Sequence, residues 1–368
     1  MTQRTALPFA CVPQTAACLR DAAAADAPLA SSSATDGEQR PLLLVLAATT
    51  LPARTRRVST IREKRSSLEQ ALDSIYGQTR KADAVVLSVP DNYRRQDDAT
   101  RAEATDASVA ALRTTYEQRA PPLQLLSTVD RGPGTKLLGA LPTARRLAAA
   151  RPGSDAFIVL FDDDQVYNPL ALRMLELNIR AARARAHVRA NHTAWSFCLY
   201  GLSCAPCYNA TDSACAARRQ SCKARGLPGM TVGQGVDLLA LPLHALDGVD
   251  GFFDAACRYE PRFFYHDDVW ISMFLHDSAR TGIRRTRFVN VTTRDGRPRF
   301  SSATCQSGTA ISRRAIGRVA HPAGALAALH GNVSRIALNA ALMAARADMA
   351  AAGLLPHIFS SEQVRPPS

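Results

Sequence analysis

The stretch "FIVLFDDDQVYNP", Phe157–Pro169, decides how the chain is read. Five apolar residues suit a strand buried on both faces, and three aspartates follow at its end. Along an extended chain side chains alternate, so Asp162 and Asp164 are expected on one side and Asp163 on the other. Two carboxylates a few ångströms apart at low dielectric repel, or one takes up a proton. A hard divalent cation removes that penalty, and oxygen ligands suit Mg²⁺ or Mn²⁺. In an open α/β sheet, ligands bind beyond the carboxyl ends of the strands, where this triplet falls. The structural alternative is a strand-end turn whose aspartates cap the helix expected from Pro169.

The surroundings of this stretch set the fold class. "PLLLVLAATT" (Pro41–Thr50), "ADAVVLSVP" (closed by Pro90) and "LQLLSTVD" (ending at Asp130) are apolar runs fit for buried strands. The segments between them carry helical patterns, with Leu68, Leu72, Ile75 and Tyr76 forming one apolar stripe. "RGPGTK" then leads into the helix "LLGALPTARRLAAA" ahead of the strand at Ala156–Phe161. Strands and helices alternating at this spacing predict an α/β fold, a mainly parallel sheet flanked by helices.

Residues 1–40 are Ala/Ser/Thr/Asp-rich without apolar periodicity and read as a low-complexity lead. The domain is expected over 41–345: a nucleotide-binding half at 41–168, a Cys-rich insertion at 190–228 and an acceptor or catalytic half at 229–345. A C-terminal tail is expected over 346–368, an alanine-rich helix end followed by a Pro/Ser stretch. At 46% hydrophobic and 21% charged residues the chain is globular, which excludes disordered and collagen-like classes. Its net charge of +13 comes from scattered arginines, with no nucleic-acid-binding motif to focus it. An anionic small-molecule substrate is an equal use of that charge.

Cys204, Cys207, Cys215 and Cys222 crowd the insertion, with Cys198 just upstream. Zinc is one reading of the first pair, but the second pair has the wrong spacing for a ribbon and the cluster has no histidine. Disulfides in a surface insertion are the preferred reading. Four glycosylation triplets, at Asn191, Asn209, Asn290 and Asn332, agree with it. Together they point to the secretory pathway, the Golgi or ER lumen or the cell exterior, rather than the cytoplasm. The N-terminal segment has no apolar run of signal-peptide or membrane-anchor length, so a truncated secretory protein is expected.

An apolar strand ending in Asp-x-Asp after three βα units resembles the GT-A-fold glycosyltransferases. The resemblance implies that Asp162 and Asp164 hold Mn²⁺ or Mg²⁺ against the diphosphate of a UDP- or GDP-linked sugar, with Asp163 beside them. "TTLPARTRR" after the first strand resembles the family's nucleotide loop, which implies contacts from Thr50 and Arg54. "DRGPGTKLLGAL" resembles the loop and helix before the Asp-x-Asp strand, with Asp130 toward the base or ribose and Lys136 toward the phosphates.

"YHDDVW" resembles the second acidic element of inverting members, with His266 where the pattern more often has an acidic residue. It implies Asp268 as the general base for an acceptor hydroxyl, with Asp267 the rival. The structural alternative there is an N-cap for the helix that follows. Gly233 and Gly235 resemble the acceptor-side loop, Trp270 falls on the same side, and His330 is a candidate third metal ligand.

The function implied is a metal-dependent, inverting, hexosyltransferase-type enzyme acting on a glycan or glycoprotein hydroxyl. Two other classes compete with it. One is a non-catalytic GT-A-like domain that binds a glycan or partner. The other is a haloacid-dehalogenase-type phosphatase, whose Asp-x-Asp motif sits on the first strand rather than the fourth.

Overall fold

The computed structural model describes residues 40–51, 66–91, 93, 109–184, 193–196, 199–202, 230–233, 238–277, 287–290 and 335–352. Strand β1, Leu42–Thr49, is an eight-residue run of "LLLVLAAT" with hardly a polar group. Its period-2 alternation divides the interior. Leu43, Val45 and Ala47 enter one apolar cluster, and Leu42, Leu44, Leu46 and Ala48 enter the other. A strand can be apolar on both faces only if both faces are covered, and here they are.

Strands β2 (Ala84–Pro90), β3 (Leu123–Thr128) and β4 (Asp155–Leu160) join β1 in parallel, in the order β3-β2-β1-β4. The sheet continues through β8 (Leu239–Pro242), antiparallel to β4, and then β5 (Thr193–Ser196) and β9 (Arg287–Asn290). The result is a seven-stranded, mainly parallel sheet with one antiparallel strand set into it. Strands β6 (Leu199–Leu202) and β7 (Met230–Gly233) pair separately.

Helix α1 (Ser67–Tyr76) starts at a capping box: the Ser66 hydroxyl accepts from the Glu69 N–H, and the Glu69 carboxylate accepts from the Ser66 N–H. It packs with α3 (Ala171–Ala184) on one face of the sheet, through Leu68, Leu72, Leu172, Leu175 and Ile179. The other face carries α2 (Thr135–Ala150), α4 (Val249–Tyr259), α5 (Asp267–Asp277) and the C-terminal α6 (Arg335–Ala351). Buried Phe252, Phe263, Trp270 and Phe274 fill that layer.

Some expected boundaries move. Strand β4 ends at Leu160, and Asp163 and Asp164 lie in a turn, so strict alternation does not govern the triplet. Helix α3 begins at Ala171 rather than Pro169, and its start is satisfied by Asn168, whose side chain accepts from the Leu170 N–H and whose carbonyl accepts from Ala171. The aspartates therefore do not cap it. Helix α6 runs unbroken through 346 to Ala351, where an alanine-rich helix end was expected. Its continuation buries Ala347 and Met349, and an apolar stripe that reaches the core has no reason to stop at 345.

Candidate functional site

Strand order reverses beside β1, which has β2 on one side and β4 on the other. The carboxyl ends of neighbouring β1 and β4 lie at this point, the place where open α/β sheets bind ligands. The last register pair of these strands is Ala47 with Leu160, and Thr50 and Asp163 each lie three residues further on. Both are buried.

The Asp triplet is fixed from behind. The Asp162 N–H donates to the Tyr167 hydroxyl at 2.8 Å, and the Tyr167 ring meets Phe161 edge-on with centroids 6.2 Å apart. The Tyr167 N–H in turn donates to Ser74 of α1, and buried Gln78 bridges the Asn168 carbonyl and the Leu172 N–H. The turn is thus tied to α1 before any ligand is present. Asp163 and Asp164 are buried, whereas the Asp162 side chain is 30% exposed.

From the opposite side comes the "DRGPGTK" loop. The Asp130 carboxylate accepts from the Gly132 N–H at 2.8 Å, a local turn bond. Gly132 has φ +62°, and a Cβ there would lie 1.9 Å from the Phe264 carbonyl oxygen. At Gly134 a Cβ would come within 2.7 Å of the Trp270 ring. Both glycines let this loop press against the Pro261–Tyr265 3-10 turn and α5. Arg131 ties the loop to α4 through Asp250, 3.0 Å away.

This packing carries Lys136, in the first turn of α2, to the centre. Its ammonium lies 2.7 Å from Asp162 Oδ1 and 2.9 Å from Asp267 Oδ2, with the lysine side chain only 6% exposed. Burial by itself would lower the lysine pKa. The charges of Asp162, Asp267 and Asp268 outweigh it and hold the pKa well above the ordinary value. Burial would likewise raise that of Asp267, but the Lys136 ammonium, with His266 and the Asp268 N–H, holds it below the usual carboxylate range. Both groups therefore stay charged, and Asp267 is a weak proton acceptor. Asp268, next along the first turn of α5, is half-buried.

The other expected residues divide by position. Thr50 directly follows β1, with its hydroxyl directed to the Leu51 carbonyl. The Gly233 N–H donates to the buried Ser272 hydroxyl of α5, an anchoring contact that the glycine motif gave no hint of. Trp270 is fully buried against Gly134 and Phe253, which makes it core rather than acceptor surface. Asn290 ends β9 at the sheet edge. Arg54, Gly235, His330, Asn191, Asn209 and Asn332 lie outside the described residues, as does the Cys-rich cluster. Cys257, half-buried on α4, is the one cysteine among the described residues.

Among the described residues, no three side chains of His, Cys, Asp or Glu form a ready-made metal cage. Asp162 and Asp164 offer hard oxygen donors from one turn, Asp162 with exposure to spare. That set fits Mg²⁺ or Mn²⁺ only when substrate phosphates and water complete the shell, which is how Mg²⁺ commonly binds.

No family model matches the chain, and no curated protein matches it. The chain shows a weak structural likeness to two solved structures of 4-diphosphocytidyl-2C-methyl-D-erythritol synthase. One is 12% identical with a TM-score of 0.34, covering 76% of this chain and 99% of that one. The other, from Anaerococcus prevotii, is 12% identical with a TM-score of 0.37, covering 76% and 97%. Likeness at this level decides neither the fold nor the chemistry.

Proposed function

We propose that the protein is a GT-A-type transferase that moves a sugar from a nucleotide diphosphate to a hydroxyl of a glycan or glycoprotein. One observation carries the reading. The acidic segment after β4 and the acidic start of α5, about a hundred residues apart in sequence, meet beyond the carboxyl end of β4 and share Lys136. Asp162 and Asp164 would hold a Mn²⁺ or Mg²⁺ ion, which supplies charge for the donor diphosphate and its leaving group. Asp268 is the base for the acceptor hydroxyl, since Asp267 is committed to Lys136. A base placed opposite the leaving group gives inversion. The glycosylation triplets and cysteines remain the support for a secretory location.

The test is calorimetric titration of UDP and GDP, each with Mn²⁺ and with EDTA. Binding that needs Mn²⁺ and is lost in Asp164→Ala is the expected result. Asp268→Asn should keep that binding within about threefold and lose sugar transfer by at least about a hundredfold. Folded protein that binds neither nucleotide with Mn²⁺ would sink the UDP- and GDP-sugar versions of the reading.

A further inference from the structure

The ion pairs of Lys136 contain more than a neutralised charge. Its side chain is 6% exposed, and its ammonium already hydrogen-bonds Asp162 and lies within ion-pair distance of Asp267. With so little of the side chain exposed, a diphosphate would meet this nitrogen in competition with those carboxylates. The lysine also sits on a third element, α2, distinct from the two it joins. Its place there is set by the close approach of Gly132 to Phe264 and of Gly134 to Trp270. Phe264 and Trp270 flank Asp267 and Asp268 in sequence, so the loop and the acidic turn are held together twice, by packing and by charge.

We propose that Lys136 is a positioning residue rather than a donor-phosphate ligand: an internal cation that sets the spacing between the Asp162 turn and the Asp267–Asp268 turn. The inference rests on the glycosyl-transfer reading and deepens it, since the two turns would carry the metal side and the base side of the reaction. In water the pair would be weak. Here both partners are largely withdrawn from solvent, so removing one strands the other as a buried charge. The function of the lysine is then fulfilled before the donor arrives. A phosphate ligand would act only afterwards.

A double-mutant cycle separates these roles. Lys136→Met, Asp267→Asn and the double variant are compared by Tm, by Trp270 fluorescence and by binding of UDP and GDP with Mn²⁺ well below each Tm. Lys136→Met is expected to lower Tm by at least about 5 °C, to shift the Trp270 emission and to weaken Mn²⁺–nucleotide binding about tenfold or more. In the double variant, most of the Tm and most of the nucleotide affinity should return, because the buried Asp267 is no longer a stranded charge and Asp162, 30% exposed, keeps its access to water.

Three results would overturn the proposal. One is additive Tm losses. Another is unchanged nucleotide affinity in folded Lys136→Met, which would make the lysine merely structural. The third is equal loss of affinity in Lys136→Met and the double variant, as expected for a phosphate ligand. If Lys136→Met does not fold, Asp267→Asn decides alone: unchanged Tm and Trp270 emission would overturn the coupling. The Tm and fluorescence arms use no nucleotide. A wild-type protein that binds no nucleotide would therefore sink the transferase reading and still leave the ionic coupling to be decided by its own result.

Discussion

Gly132 shows how much a single residue can decide at this site. Its φ of +62° already disfavours any side chain, and the 1.9 Å approach of a Cβ to the Phe264 carbonyl leaves no room for one. Gly132→Ala is expected to cost at least about 2 kcal/mol in urea denaturation. Gly153 is the control, with φ +87° but nothing within 4 Å of a Cβ. Gly153→Ala should cost about 1 kcal/mol, the backbone term alone. Only the Gly132 variant should also weaken Mn²⁺–nucleotide binding, because its clash pushes on the segment that leads to Asp267. The "GPGTK" spelling showed a turn that could approach an anion. What it approaches is another piece of the same chain, a contact across more than a hundred residues that local sequence cannot express.

Among the elements, α3 carries the clearest electrostatic tie to the rest of the fold. Glu176 on α3 is buried and receives Arg173 at 2.9 Å and Arg180 at 2.9 Å, with Arg80 from the loop before β2 at 3.9 Å. Burial alone would raise the Glu176 pKa, but the hydrogen bonds from Arg180 and Arg173 and the charges of Arg180 and Arg80 bring it below the usual value. A carboxyl depressed in the folded state stabilises above its unfolded pKa, about 4.3, and loses that contribution as pH falls through the folded value. Glu176→Gln should therefore cost about 1–3 kcal/mol at pH 7, discounted for the part-exposed arginines. The gap from wild type should stay level from about pH 6 to 8 and close below about pH 4 in urea titrations. The helix itself was expected from the sequence. Its cap was not, since Asn168 takes that part and the neighbouring proline does not begin the helix.

Across the whole molecule, one sheet separates two apolar layers, and α6 belongs to the layer that holds the candidate site. Met349 is 1% exposed there, and Arg346 is buried with its guanidinium 3.0 Å from His276 Nδ1 at the far end of α5. Met349→Ala is expected to lower stability by about 2–5 kcal/mol, read by denaturant unfolding. A loss within about 0.5 kcal/mol, as for an exposed position, would mean that this helix is not part of the core.

The strands β1, β2 and β4, the helices between them and the acidic strand end were all legible along the chain, because buried strands and amphipathic helices write their burial as local periodicity. The capping box of α1 was equally local. What only the tertiary structure decided is long-range: β8 entering the sheet antiparallel beside β4, Trp270 lying beneath the Gly134 turn, and Asp162 and Asp267 closing on one lysine. Each of those depends on which distant segments share a face of the sheet. A carboxylate finds its partner through that packing, and residue type alone leaves open whether the partner is a bound cation or a lysine of the same chain.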